Sequence, residues 1–242
     1  LTAILEIGNV CKTLKSNLKI NREKLIRFYD ERSKEAGRGS DISAITAVWG
    51  EDLILGILQD YWEKQENAKS EILQYNCSTG KKTGPRLDAW IVKGENDERI
   101  LYQTEIKNWS AYSLGGQHLP IDATEQQLKA HSEKEWQYYF ESKTIPTDLV
   151  AKVMFAMQRP SGEGVDNLTP MPLICFWFFI TGSDQTAFSK HKFSDGREVH
   201  VFSASAYLRS RTDEFIEMKL SRAERRLKLL NDLLAPPAAS VA

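Results

Sequence analysis

The chain has 242 residues, 41% of them hydrophobic and 27% charged, and its 32 basic and 33 acidic side chains leave a net charge of −1. This balance excludes wholesale disorder and a uniformly basic surface, so any contact with a polyanion has to come from local segregation of charge. The longest apolar run, Leu173 to Ile180, falls far short of the roughly 20 residues that span a bilayer, and the length suits one α/β domain with elaborations. With no signal-peptide pattern, a cytoplasmic location is expected; the chain begins at Leu1 rather than methionine, which leaves open whether this N-terminus is native. Cys11, Cys77 and Cys175 stand far apart without CxxC spacing, and the histidines form no HExxH or Cys/His cluster. Free thiols in a reducing compartment are expected, and zinc is not.

Residues 1–40 read as a helical N-terminal extension. Ile4, Leu5, Ile7, Val10, Leu14 and Leu18, then Leu25, Ile26 and Phe28, recur at helical spacing; Asn21 is placed to cap the second of two helices and Gly37-Arg38-Gly39-Ser40 to end it. A longer helix is predicted from Asp41 to Glu63. Its stripe of Ala44, Ala47, Val48, Ile54, Leu55 and Leu58 surrounds a single charge, Glu51. A carboxylate on a core-facing stripe is costly unless it is paired or metal-bound; the alternative is that Glu51 lies at the wet edge beside Gly50.

Glu71 to Thr79 reads as a strand, and the loop from Gly80 to Pro85 lacks the upstream glycine of a P-loop. Lys81, Lys82 and Arg86 stand just ahead of Asp88, either to meet phosphates or as a solvated hairpin tip. Two further strands are expected around Asp88 and from Ile100 to Trp109. Strand alternation puts Leu101, Gln103, Glu105 and Lys107 on one side, so a carboxylate and an ammonium point the same way. If the strands pair, Asp88 is brought beside them. Two acids can then hold a divalent cation while a lysine serves a phosphate or a water, which is a basis for phosphodiester hydrolysis. The bland alternative is a salt-bridged surface hairpin. Glu-x-Lys recurs at Glu141-Ser142-Lys143 and Glu217-Met218-Lys219, but those copies are expected in helices, where residues two apart do not share a face.

Asp88, Glu105 and Lys107 in this strand context resemble the PD-(D/E)XK nuclease superfamily, the restriction-endonuclease-like enzymes, with Leu87 rather than proline before Asp88. The resemblance implies an α/β fold with an αβββαβ core, a central mixed sheet flanked by helices, and extra helices at both termini. It also implies a metal-dependent DNA endonuclease. Asp88, Glu105 and Lys107 would be catalytic, and Asp88, Glu105, the Ile106 carbonyl and Glu51 would bind Mg2+, or Mn2+ in its place. In the RecB-like branch a later helix carries Gln-x-x-x-Tyr; here Gln127-x-x-x-His131 matches in part, which makes Gln126 and Gln127 candidates for contacting DNA, against a plain surface helix.

That helix is predicted from Asp122 to Tyr139, with Asp122 and Glu125 as a capping box, after a glycine-containing loop from Ser110 to Pro120. Leu149 to Met157 and Leu173 to Ile180 read as strands, the second buried on both faces. Val199 to Ser203 reads as a short strand. A final helical region starting at Ser205 or Thr212 carries Phe215, Ile216, Leu220, Leu227, Leu230 and Leu234, with Arg209, Arg211, Lys219, Arg222, Arg225, Arg226 and Lys228 on its polar face. The resulting organisation is a single nuclease-like domain over 1–242: the extension to residue 40, a catalytic core over 41–181, and a C-terminal strand and helices over 182–242. DNA is the expected partner, with a homodimer or a subunit of a larger defence or repair system left open. An inactive binding module on the same fold, or a nuclease acting on RNA, would preserve much of this pattern.

Overall fold

The computed structural model describes residues 18–30, 39–109, 119, 123–141, 148–162, 164–177, 186–218, 220, 222, 225 and 226. Its centre is a six-stranded mixed sheet in the order β2-β3-β4-β5-β7-β6, formed by β2 (Ser70–Ser78), β3 (Arg86–Lys93), β4 (Ile100–Lys107), β5 (Pro170–Phe176), β6 (Phe188–Lys192) and β7 (Glu198–Ser203). β2, β3 and β4 form an antiparallel meander, β5 lies parallel to β4, β7 parallel to β5, and β6 antiparallel to β7. β5 is the apolar strand expected from the Leu173 run, and Leu173 through Phe176 are wholly buried. The sheet continues past residue 181 because β6 and β7 extend its edge. Among the described residues, no helix is long and apolar enough to cross a membrane.

Among the described residues, five α-helices accompany the strands: α1 (Arg22–Asp30), α2 (Gly39–Gln65), α3 (Glu125–Trp136), α4 (Asp148–Val153) and α5 (Ala204–Ser210). α2 is the long helix expected from Asp41, with Leu53, Ile54, Leu55, Ile57, Leu58 and Trp62 buried. Trp62 stacks on Tyr102 of β4 with ring centroids 5.2 Å apart, so α2 covers the face of the sheet that carries Tyr102. Fully burying one such large apolar side chain contributes roughly 2 to 3 kcal/mol. α4 lies on the opposite face, where the Gln103 amide donates to the carbonyls of Val153 and Phe155, each at 2.6 Å. Asn21 caps α1 as expected, its Oδ1 accepting the Lys24 amide at 3.0 Å.

Several expectations are corrected. Leu18–Asn21 is a strand, β1, rather than the end of a helix, and it pairs antiparallel with β8 (Phe215–Met218) in a separate two-stranded sheet. Neither strand has a local partner, so spacing along the chain could not reveal the pair. In β8, Ile216 and Met218 are buried while Phe215 and Glu217 are exposed, the alternation of a half-buried strand. Glu217 is therefore in a strand and not in a helix, which weakens the contrast drawn between Glu105 and its sequence copies. Glu141 ends a π-helical turn, Gln137–Glu141, as its expected place at the close of a helix required.

Leu149 to Met157 does not form a strand. It contains α4 and the turn after it, and its buried Val150, Val153 and Met157 recur at the three- and four-residue intervals of a helix face. α3 is capped by Thr124, whose hydroxyl accepts the Gln127 amide while Gln127 Oε1 accepts from the Thr124 amide. The capping box is thus Thr124 with Gln127. Ser203, not Ser205 or Thr212, caps α5. Asp122, the loop at 110–118, residues 1–17 and 37–38, residues 178–180 and the leucines from Leu227 onward lie outside the described residues.

Candidate active site

The β3–β4 register pairs Ala89 with Thr104 and Trp90 with Gln103, which sets Asp88 across from Glu105 on one face. The recorded pairing ends at Ala89. Beyond it the Asp88 side chain enters the gap between the strands, and its Oδ2 accepts the Ile106 amide at 2.6 Å. A strand residue directs its N–H and C=O to the same side, so the Ile106 carbonyl also faces the β3 side. The next residue faces the other way, with the Lys107 carbonyl accepting the Trp177 amide at 3.1 Å.

Glu105 is the buried centre of the arrangement, its side chain only 3% exposed. Its Oε1 accepts from Lys107 Nζ at 2.7 Å and from Lys152 Nζ at 2.6 Å. Its Oε2 is buried and has no hydrogen-bond partner among the described residues. Leaving a charged oxygen buried without a donor is expensive, so both lysines on the other oxygen do not complete the site.

Asp88 feels the crowding. Burial first, then the negative charge of Glu105, raises its pKa to about 7; the Ile106 amide opposes this, Glu51 adds to it, and Lys152 opposes it in turn. Two carboxylates sharing a poorly solvated site behave in this way. Nearby thiols respond as well: burial, with Asp88 adding to it, pushes Cys77 up to about 12 and Cys175 well above the usual thiol range. Both are free and buried, as expected for these two cysteines.

Glu51 lies at the wet edge of its helix, 34% exposed, and its Oε2 accepts from Arg222 Nη1 at 2.5 Å. Arg222 also reaches Asn76 Oδ1 at 3.3 Å and sits over the Tyr75 ring, 5.2 Å from its centre. Asp52, the next residue, is buried, as is Asp60 further along α2. Glu51 therefore contributes charge to Asp88 while being paired itself. Lys81, Lys82 and Arg86 are exposed at the β2–β3 turn, ahead of Asp88. Gln126 is exposed on α3, and Gln127 is engaged in its capping box.

Lys152 is the site residue that the sequence reading missed. It is the one charged residue in the run Leu149 to Met157, and a lone lysine in an apolar stretch was the available signal. In the sequence Arg222 reads only as part of a basic helix face.

The donor set suits a hard divalent cation. The orphaned Glu105 Oε2, the Asp88 carboxyl and the Ile106 carbonyl are all oxygen donors, as Mg2+ and Mn2+ prefer. Among the described residues no three His, Cys, Asp or Glu side chains form a group that could hold a metal ion. Two carboxylates, a backbone carbonyl and waters would have to complete the shell, which is how Mg2+ is usually held. No protein-family model, curated protein or solved structure matches the chain.

Proposed function

We propose that the chain is a metal-dependent deoxyribonuclease that hydrolyses DNA phosphodiester bonds, of the PD-(D/E)XK kind. One observation carries this reading: among the described residues Glu105 Oε2 is buried without a hydrogen-bond partner across from Asp88, while two lysines occupy the other oxygen of the same carboxylate. The chain order supports it too, since α2, the antiparallel β2-β3-β4 meander, α3 and the parallel β5 follow the αβββαβ order of a restriction-endonuclease-like core.

A Mg2+ ion, or Mn2+ in its place, would supply Lewis-acid chemistry, favouring deprotonation of the attacking water and offsetting phosphate charge. Asp88, Glu105 and the Ile106 carbonyl would hold it. Asp88 is fixed by the Ile106 amide and Glu105 by its lysines, so both ligands are oriented before substrate arrives. Lys107, one quarter exposed, is the ammonium that can turn from Glu105 to orient the attacking water and offset charge building on the phosphorane. The water oxygen bonds to phosphorus and gives up a proton to solvent, the opposite P–O bond breaks, and the departing oxygen takes a proton from a solvent water. Exposed Lys81, Lys82 and Arg86 lie where they can meet the backbone of a bound strand. Glu51, paired with Arg222, adjusts the charge around Asp88 from outside the ligand set.

The test is incubation with linear duplex, circular duplex, single-stranded DNA and RNA in Mg2+, Mn2+ or EDTA. Cleavage of DNA is expected with either metal, absent in EDTA and lost in Asp88→Ala and Lys107→Ala. Cutting of circular duplex identifies an endonuclease, and cutting of RNA alone shifts the substrate class. Cleavage that survives both substitutions sinks the site assignment; metal-dependent cleavage of nothing favours a binding module.

A further inference from the structure

Lys107 alone could neutralise Glu105, yet the structure supplies a second ammonium. Lys152 Nζ lies 2.6 Å from Glu105 Oε1, the same oxygen that Lys107 meets at 2.7 Å. Lys152 is not a loose surface side chain that drifted into contact. Gln103, two residues before Glu105 on the same face, holds the carbonyls of Val153 and Phe155, each at 2.6 Å. Trp90 Nε1 donates to the Gln158 carbonyl at 3.0 Å, and the Gln158 amide donates to the Ser78 carbonyl at 2.8 Å. These bonds fasten the segment carrying Lys152 to β2, β3 and β4, so the lysine is delivered by a braced backbone.

Resting on the nuclease reading, we infer that Lys152 is a positioning residue: it is the resident counter-ion of Glu105, which releases Lys107 for the phosphate. Two duties are thereby divided between two elements. α4 holds the carboxylate, and β4 supplies the lysine that meets the substrate. Lys152 itself touches no reacting atom. When it is removed, Lys107 is the one ammonium left on Glu105 and is retained there by the buried charge.

The test uses the full chain, with Lys152→Met and Lys152→Arg compared with the unmodified protein at one pH and ionic strength. Mn2+ affinity is measured without DNA by calorimetry, and kcat on linear duplex DNA at saturating Mn2+. Lys152→Met is expected to bind Mn2+ roughly three- to tenfold more tightly, because an ammonium beside a ligand carboxylate repels the ion. It is also expected to lose roughly tenfold or more in kcat, because Lys107 is retained by Glu105. Lys152→Arg should bring both values back toward the unmodified protein. If Lys152→Met does not fold, Lys152→Gln, which keeps a donor but loses the charge, replaces it.

Unchanged or weaker Mn2+ binding on loss of the charge overturns the inference, whatever happens to thermal stability, as does an unchanged kcat in a protein that cleaves DNA. If the unmodified protein binds Mn2+ but cleaves nothing, the nuclease reading fails. The Mn2+ affinities alone then decide whether Lys152 is the counter-ion: tightening that arginine reverses upholds it, and no change overturns it. A protein that binds no Mn2+ overturns both.

Discussion

In the metal-free protein, Asp88 should make the fold less stable as pH rises. Its pKa in the folded chain is about 7 against a usual 3.8, raised by burial and by Glu105. Between these values the folded state keeps a proton that the unfolded state has already released. Unfolding stability therefore falls with increasing pH, by about 1.4 kcal/mol per pH unit while the difference is a full proton. From pH 5 to pH 8 this amounts to about 2 to 3 kcal/mol, and less where solvent reaches the carboxyl. Urea denaturation in EDTA, run at both pH values on the unmodified protein and on Asp88→Asn, isolates the effect, because the substitution removes this titration and leaves the others. The expected result is a larger loss of stability in the unmodified protein, with Mg2+ recovering part of it at pH 8. Equal pH dependence in the two proteins, or a gain in stability toward pH 8 that depends on Asp88, would refute the account of crowded carboxylates.

Gln103→Leu removes both donors from the carbonyls of Val153 and Phe155 and should cost about 2 to 3 kcal/mol in urea denaturation, with faster amide exchange between residues 148 and 158. A cost under about 0.5 kcal/mol would show that α4 is held by other means. His200 should act in the opposite pH direction from Asp88. It is held between the Tyr102 hydroxyl and Glu198 at 3.0 and 2.8 Å, and burial lowers its pKa against the opposing pull of Glu198. Below the usual histidine value of 6.5 the unfolded chain takes up a proton that folded His200 resists, so stability should be lost as pH falls through that range. His200→Gln should show a shallower loss between pH 7 and 5.5 in thermal melts; an unchanged profile would exclude His200 as the cause.

Much of the site was legible because strand alternation is a local property. The two-residue period around Asp88 and from Ile100 to Lys107 identified β3 and β4, and with them the shared side of Glu105 and Lys107. The long helix α2 was legible from its stripe, but its angular setting was not. Nearly every side from Leu53 to Leu58 is buried, so the pattern could not tell that Glu51 faces the wet edge while Asp52 is covered. Lys152 was hidden by an apolar run that suits either a strand or a helix, although the spacing of Val150, Val153 and Met157 favoured the helix.

By itself the sequence determined the three strands that build the meander, the apolar fifth strand, and the strand side that Glu105 shares with Lys107, because these follow from periodicity within a few residues. Only the tertiary structure decided that β1 joins β8, that a lysine from α4 meets Glu105, and that Glu105 Oε2 is left buried without a donor among the described residues. Each of these depends on segments far apart in the chain. Burial and hydrogen-bond satisfaction are properties of what surrounds an atom, and the surroundings exist only after the chain has folded.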